Sequence, residues 1–180
     1  MNDLLKQLYK EIKECTGCPT SQWSSGYKEA GWGTPGGILF LGQNPAFTSL
    51  TPIPGDSKFD HSFKSMLSDA GIFDKDYFFT NLVKFPPAKE DLVFTREEMN
   101  HLEKHLIDEI TLINPIIIVA LGLPAGTWLR TLQCRADRFY LYHPGALRHG
   151  IIIREHYVQK LTEIREVYTA LKVERQNQLI

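Results

Sequence analysis

Three short segments set hydrogen-bonding side chains beside turn-forming residues: Gly42-Gln43-Asn44-Pro45-Ala46, Asn81 to Pro87, and His143-Pro144-Gly145-Ala146-Leu147-Arg148. The amides of Asn44 and Asn81 donate and accept hydrogen bonds but take up no proton. The imidazole of His143 donates a hydrogen bond and changes charge near neutral pH. Such a set suits orientation and hydrogen-bond donation better than carboxylate acid–base work. Other arrangements are missing. The phosphate cradle G-x-x-x-x-G-K-[ST] does not occur, nor does H-E-x-x-H. Of the six histidines, only His101 and His105 stand at i, i+4. That pair falls on the polar side of an amphipathic helix and reads as a solvated face rather than a ligand pair.

The elements that must position these segments follow from hydrophobic period and turn chemistry. Leu4, Leu5, Leu8 and Ile12 give Asp3 to Lys13 a helical stripe. Residues 19 to 37, rich in Gly, Ser, Trp and Pro, read as loop. Ile38 to Leu41 is a buried strand ending at Gly42. Phe63, Met66, Leu67 and Ala70 have helical spacing, and Gly71 stops them. Tyr77 to Val83 is strand-like, and Pro86-Pro87 ends it. Thr95 and Glu98 form a capping box ahead of Met99, Leu102, Leu106 and Ile110, and Pro115 closes that helix. Ile116 to Leu121 is the strongest buried-strand signal. Pro124 to Leu132 reads as a short helix, Phe139 to Tyr142 as a strand, and Val158 to Leu171 as a closing helix.

Strands alternating with helices at these lengths predict an α/β fold, a three-layer α/β/α arrangement around a four-stranded parallel sheet. Ligands in such sheets bind beyond the carboxyl ends of the strands. The three polar segments leave strands at that end, so they converge on one crevice.

Composition sets the outer bounds. With 180 residues, 43% hydrophobic and 23% charged, the chain suits one folded domain spanning 1–180, and disorder is excluded. No apolar stretch reaches the roughly 20 residues a membrane span needs, and the N-terminus lacks the layout of a secretory signal. Three cysteines, two of them as Cys15-x-x-Cys18, do not read as a disulfide framework. A reducing, cytoplasmic setting and a monomer are expected. The net charge of −1 gives no sign of nucleic-acid binding, so any such partner needs a local basic patch.

The motifs taken together resemble the uracil-DNA glycosylase superfamily. Gly42-Gln43-Asn44-Pro45-Ala46 is similar to that group's G-Q-D-P-Y and G-E-x-P-G motifs, and His143-Pro144-Gly145-Ala146-Leu147 to its H-P-S or H-P-A motif with a Leu four positions after the His. Thr80-Asn81-Leu82-Val83-Lys84 resembles the T-N-x-x-K of the iron–sulfur family 4 enzymes, whose P-x-x-I-x-x-L-G is echoed by Pro115 to Gly122. The resemblance runs from about residue 10 to 170 and implies a fold of that type. It implies DNA as partner, and an enzyme that flips uracil out and hydrolyses its N-glycosidic bond with water, the first step of base excision repair.

It also implies roles. Asn44 and His143 match the catalytic positions, Asn44 orienting the water and His143 donating to the uracil O2. Asn81 matches the residue that reads the base edge. Gly42, Gln43, Pro45, Ala46, Phe47 and Phe59 fall in the pocket, with Phe59 the aromatic expected to stack on the base, in the segment before the second helix. Leu147 matches the wedge that fills the vacated stack, and Lys84, Pro144, Gly145 and Arg148 fall on the DNA side.

Two departures accompany the resemblance. Family 4 enzymes hold a [4Fe–4S] cluster on four cysteines. Cys15 and Cys18 are kept, but the third position is Phe85, the fourth falls on or near Leu102 beside His101 and His105, and Cys134 lies in a different segment. No cofactor and no metal are expected, an iron–sulfur cluster or zinc on Cys15 and Cys18 being the alternative. Ala46 is too small to exclude thymine's methyl group as a Tyr does, so mismatched thymine and hypoxanthine remain possible substrates. A DNA-binding module without catalysis remains the reading of another class.

Overall fold

The computed structural model describes residues 3–16, 31–45, 58–85 and 95–178, with only the backbone of 58–60 described. Its helices are α1 (Asp3–Glu14), α2 (Lys58–Asp69), α3 (Arg96–Ile113), α4 (Leu123–Thr131) and α5 (Arg154–Asn177), and its strands are β1 (Trp32–Gly33), β2 (Ile38–Gly42), β3 (Tyr77–Asn81), β4 (Ile117–Leu121) and β5 (Asp137–Leu141). A 3₁₀ turn, Pro144–His149, joins β5 to α5.

The sheet order is β1-β3-β2-β4-β5. β3, β2, β4 and β5 are mutually parallel, as expected, and β1 adds an antiparallel edge through Trp32↔Phe79 and Gly33↔Phe78. The expected four-stranded sheet therefore has five strands. Trp32 stacks on Phe79 with ring centroids 5.9 Å apart. That pairing is non-local, and two residues carry no period of their own.

Side-chain alternation divides the core. Leu39 and Leu41 of β2, Phe78 of β3, and Ile118 and Ala120 of β4 pack beneath α1, α3 and α4. Ile38, Phe40, Tyr77, Ile117, Val119 and Leu121 face the opposite way, beneath α2 and α5. The fully buried aliphatic and aromatic side chains among them contribute about 1.5–3 kcal/mol each. The apolar runs of β2 and β4 follow from this, because both faces of these strands are covered.

α2 carries the chain from β2 to β3 on one side, and α3 carries it from β3 back past β2 to β4 on the other, so the order reverses between β2 and β4. Crevices form at such reversals, beyond the strand ends. α3 begins with the expected capping box, Thr95 Oγ1 accepting from the Glu98 amide and Glu98 from the Thr95 amide. It ends on Asn114 in the left-handed conformation (φ 48°), one residue before Pro115. Among the boundaries that differ from expectation are those of β3 and β5. Leu82 and Val83 lie past β3, and β5 begins at Asp137, because an edge strand with one polar end lacks a clear apolar period.

Candidate active site

Register aligns the strand ends. Gly42 of β2 pairs with Asn81 of β3, and Leu121 of β4 pairs with Leu141 of β5, so the four strands terminate along one edge. Asn44, Asn81 and His143 leave the sheet at that edge. The wide-open depression lined by Lys64, Ser68, Asp74 and Lys75 lies near the amino end of β3 and collects no comparable set.

The first two segments are tied to each other. The amides of Leu82 and Val83 donate to the carbonyls of Gly42 (2.9 Å) and Gln43 (2.8 Å), so the turn after β3 runs along the turn after β2. Gly42 leaves room for the Asn81 amide to approach, since a Cβ there would lie 2.3 Å from Asn81 Oδ1. Gly42 and Pro45 are buried, whereas Gln43, Asn44 and Asn81 are half-buried at the rim. Asn44 Nδ2 donates to the Pro45 carbonyl at 2.8 Å, and its Oδ1 can only accept.

His143 is held from the other side. Gly122, at φ 90°, accommodates it: a Cβ there would sit 3.2 Å from His143 Cβ. Tyr157 of α5, itself fully buried, donates to the Tyr142 carbonyl at 2.9 Å and anchors the backbone just before His143. The Gly145 amide donates to His143 Nδ1 at 3.1 Å. In the neutral ring an accepting Nδ1 places the proton on Nε2, so Nε2–H is the donor. His143 is exposed at the surface, yet desolvation by the protein around it pushes its pKa below the ordinary value, which favours that neutral form.

Sequence comparison gives this arrangement a family. The profile of the Uracil DNA glycosylase superfamily matches residues 34–164, the greater part of the chain. The chain belongs to the uracil DNA glycosylase superfamily. Three relatives named type-4 uracil-DNA glycosylase are similar to this superfamily member. That of Archaeoglobus fulgidus is 24% identical, with 91% of this chain and 92% of the relative covered. That of Thermotoga maritima is 27% identical over 68% of this chain and 64% of its own length. That of Pyrobaculum aerophilum is 28% identical over 73% and 67%.

Other expected site residues of this glycosylase-superfamily chain fall differently. Ala46 and Phe47 lie outside the described residues. Phe59 is in the first turn of α2 rather than ahead of it, and its side chain lies outside the description. Phe63, one turn further along α2, is core, edge-on to Phe40 at 5.4 Å. Leu147, expected as the wedge, is half-buried against the α2/α5 cluster. Arg148 is exposed, Gly145 half-buried and Pro144 buried, so Pro144 shapes the turn and is not a contact surface.

Lys84 needs the largest correction. It was expected on the DNA side, yet it is 1% exposed and forms a buried ion pair with Glu109 of α3. Lys84 Nζ also donates to Thr80 Oγ1 at 2.5 Å, Thr80 donates to Glu109 (2.9 Å), and Tyr9 of α1 donates to Glu109 at 2.6 Å. Burial, then the charge of Glu109, pushes the Tyr9 phenol far above its usual range. Thr80 and Lys84 bracket Asn81, so the T-N-x-x-K segment is a brace folded inward. A phosphate cannot reach it.

Residues outside the sequence reading complete the edge. Tyr142, Leu123, Ile151 and Ile153 are exposed apolar side chains on the segments that carry or adjoin His143 and Gly122. Glu109 was equally unmarked, although its place between Leu106 and Ile113 on the helical stripe is a sequence-level sign of a buried carboxylate.

The iron–sulfur cluster that the family 4 resemblance implies does not fit. Phe85, at the third thiolate position, is fully buried among apolar side chains. Cys134 lies between α4 and β5, its thiol directed to the Ala136 carbonyl, and Cys18 is outside the described residues. Among the described residues there is no four-thiolate set. Nor is any described helix long and apolar enough to cross a membrane.

Proposed function

We propose that this chain hydrolyses the N-glycosidic bond of deoxyuridine in DNA, working in the cytoplasm as a monomer without a catalytic metal. The observation that carries the reading is that the Asn44 turn, Asn81 and His143, whose Nδ1 accepts from the Gly145 amide, lie at one sheet edge. Superfamily membership supports a glycosylase and a DNA substrate.

In the proposed reaction a uracil nucleotide leaves the stack, at a cost of a few kcal/mol, and enters the crevice. The Asn81 amide pairs with O4 and N3–H together, a pattern cytosine does not present. The C1′–N1 bond breaks, and its electron pair passes to the uracil ring. His143 Nε2–H donates to the O2 of the resulting anion, where a preorganised donor is worth about 10²–10³ in rate. Asn44 Oδ1 accepts from a water and aims it at C1′; the water's oxygen bonds there and its spare proton leaves to solvent. An amide cannot remove that proton, but an electron-poor sugar needs only a weak, well-placed nucleophile. Arg148 faces the backbone phosphates, and Leu147 swings out to fill the gap.

Ala46 bears on substrate breadth, since a small residue supplies no bulk against a methyl group. Apolar fit alone discriminates one methyl by about 1–3 kcal/mol. The test is a panel of oligonucleotides carrying uracil, mismatched thymine, hypoxanthine or xanthine, single- and double-stranded, without added metal. Alkali-labile abasic sites are expected with uracil. Intact DNA throughout, with binding retained, would instead favour the non-catalytic module, and faster release of another base would replace uracil as the substrate.

A further inference from the structure

Where α1 ends against α3, three side chains with metal-binding atoms meet: Cys15, His101 and His105, their ligand atoms all within 4.8 Å of one another. Cys15 Sγ lies 2.7 Å from His101 Nε2, and the two imidazoles stand edge to face at 5.0 Å. His105 is the telling member. It is 8% exposed, and among the described residues neither ring nitrogen has a hydrogen-bond partner. The sequence reading placed the pair on a solvated face, which burial contradicts. Leaving a buried polar group unsatisfied costs about 1–3 kcal/mol, so His105 is expensive as it stands.

We propose that Cys15, His101 and His105 bind a single divalent transition ion of the zinc class, which staples the end of α1 to α3. The donor set is one thiolate and two imidazoles, the chemistry of zinc sites. Tetrahedral zinc, with bonds of about 2.3 Å to sulfur and 2.0–2.1 Å to nitrogen, holds such atoms about 3.3–3.6 Å apart. Small rotamer shifts open Cys15–His101 to that distance and draw His105 in. The ion then satisfies one His105 nitrogen. Two histidines at i, i+4 on one helix need no loop rearrangement, because they already share a face. Three protein ligands leave a fourth position for another donor. Cys18 follows Cys15 at a spacing zinc sites use, but it lies outside the described residues and the proposal does not depend on it.

The role is structural. Metal binding adds its free energy to folding when the unfolded chain has no preformed site. The ion takes no part in the excision chemistry proposed above, so the two ideas fail separately.

The test uses the full chain, purified without added metal and analysed for zinc, iron and acid-labile sulfide, followed by Co²⁺ titration of the chelator-stripped protein. Stoichiometric zinc is expected, together with a tetrahedral cobalt spectrum carrying a thiolate charge-transfer band. Cys15→Ser should abolish that band. His105→Leu, which fills the buried space with an apolar side chain, should lose stoichiometric binding and melt at the same temperature with and without zinc, whereas the unmodified chain melts lower once stripped. Cys134→Ser should bind as the unmodified chain does. Absence of both stoichiometric zinc and a cobalt spectrum would overturn the site. So would iron with sulfide in its place, or undiminished binding by Cys15→Ser and His105→Leu.

Discussion

The turn after β3 and the turn after β5 each present one candidate site residue at the same sheet edge, yet they are held by opposite means. Asn81 sits between Thr80 and Lys84, which are locked inward by a sealed ionic network with Glu109 and Tyr9. His143 is steadied by neutral contacts: a Tyr157 hydroxyl on the preceding carbonyl, a Gly145 amide on Nδ1, and the space Gly122 leaves. A buried ion pair is costly to break but contributes little net stability over an apolar replacement. The neutral brace costs less to lose and leaves His143 exposed to solvent. Charge therefore anchors the residue proposed to read the base, while neutral hydrogen bonds from Tyr157 and Gly145 hold the proposed donor.

That contrast can be broken at its strongest point first. Glu109→Leu leaves Lys84 as an unpaired buried cation and should cost about 3–5 kcal/mol in urea unfolding. Adding Lys84→Met should recover most of the loss, and a Glu109→Leu chain of undiminished stability would show that the network anchors nothing. Gly42→Ala comes next. Its Cβ collides only with the end of the Asn81 side chain, which can swing away. Excision should fall about 10–100-fold through misplacement of that amide, with the melting temperature nearly unchanged. A normal rate would mean that Asn81 has no positional role. Tyr157→Phe has the smallest expected effect. Loss of one hydrogen bond to the Tyr142 carbonyl should cost about 1 kcal/mol and slow excision less than Gly42→Ala does. A larger stability loss than that of Glu109→Leu would reverse the ranking of the two braces.

The two regions also differ in how far the sequence revealed them. The placement of Asn44, Asn81 and His143 at one edge was legible because turn residues mark the strand ends, and parallel register leaves little choice of edge. Ile38–Leu41 and Ile117–Leu121 were legible because burial on both faces demands continuous apolar runs. Lys84 was misread because a lysine beside a Pro-rich turn is exposed by default, and its partner lies on α3, 25 residues away. His105 was misread for a related reason: at the margin of the α3 stripe, period alone does not say which side α1 covers. β1 escaped notice because two residues, Trp32 and Gly33, become a strand only by pairing with Phe78 and Phe79. Each miss is a long-range contact, and each correct reading rests on local period or turn chemistry.

The most direct trial of the proposed chemistry is single-turnover excision of uracil by His143→Ala, with the melting temperature of the same preparation measured alongside. A neutral Nε2 donor to the departing base requires a rate lower by about two orders of magnitude or more, with melting within a degree or two of the unmodified chain, since His143 anchors no core. An unaltered rate from a folded His143→Ala chain would contradict the assignment of this imidazole to the leaving group.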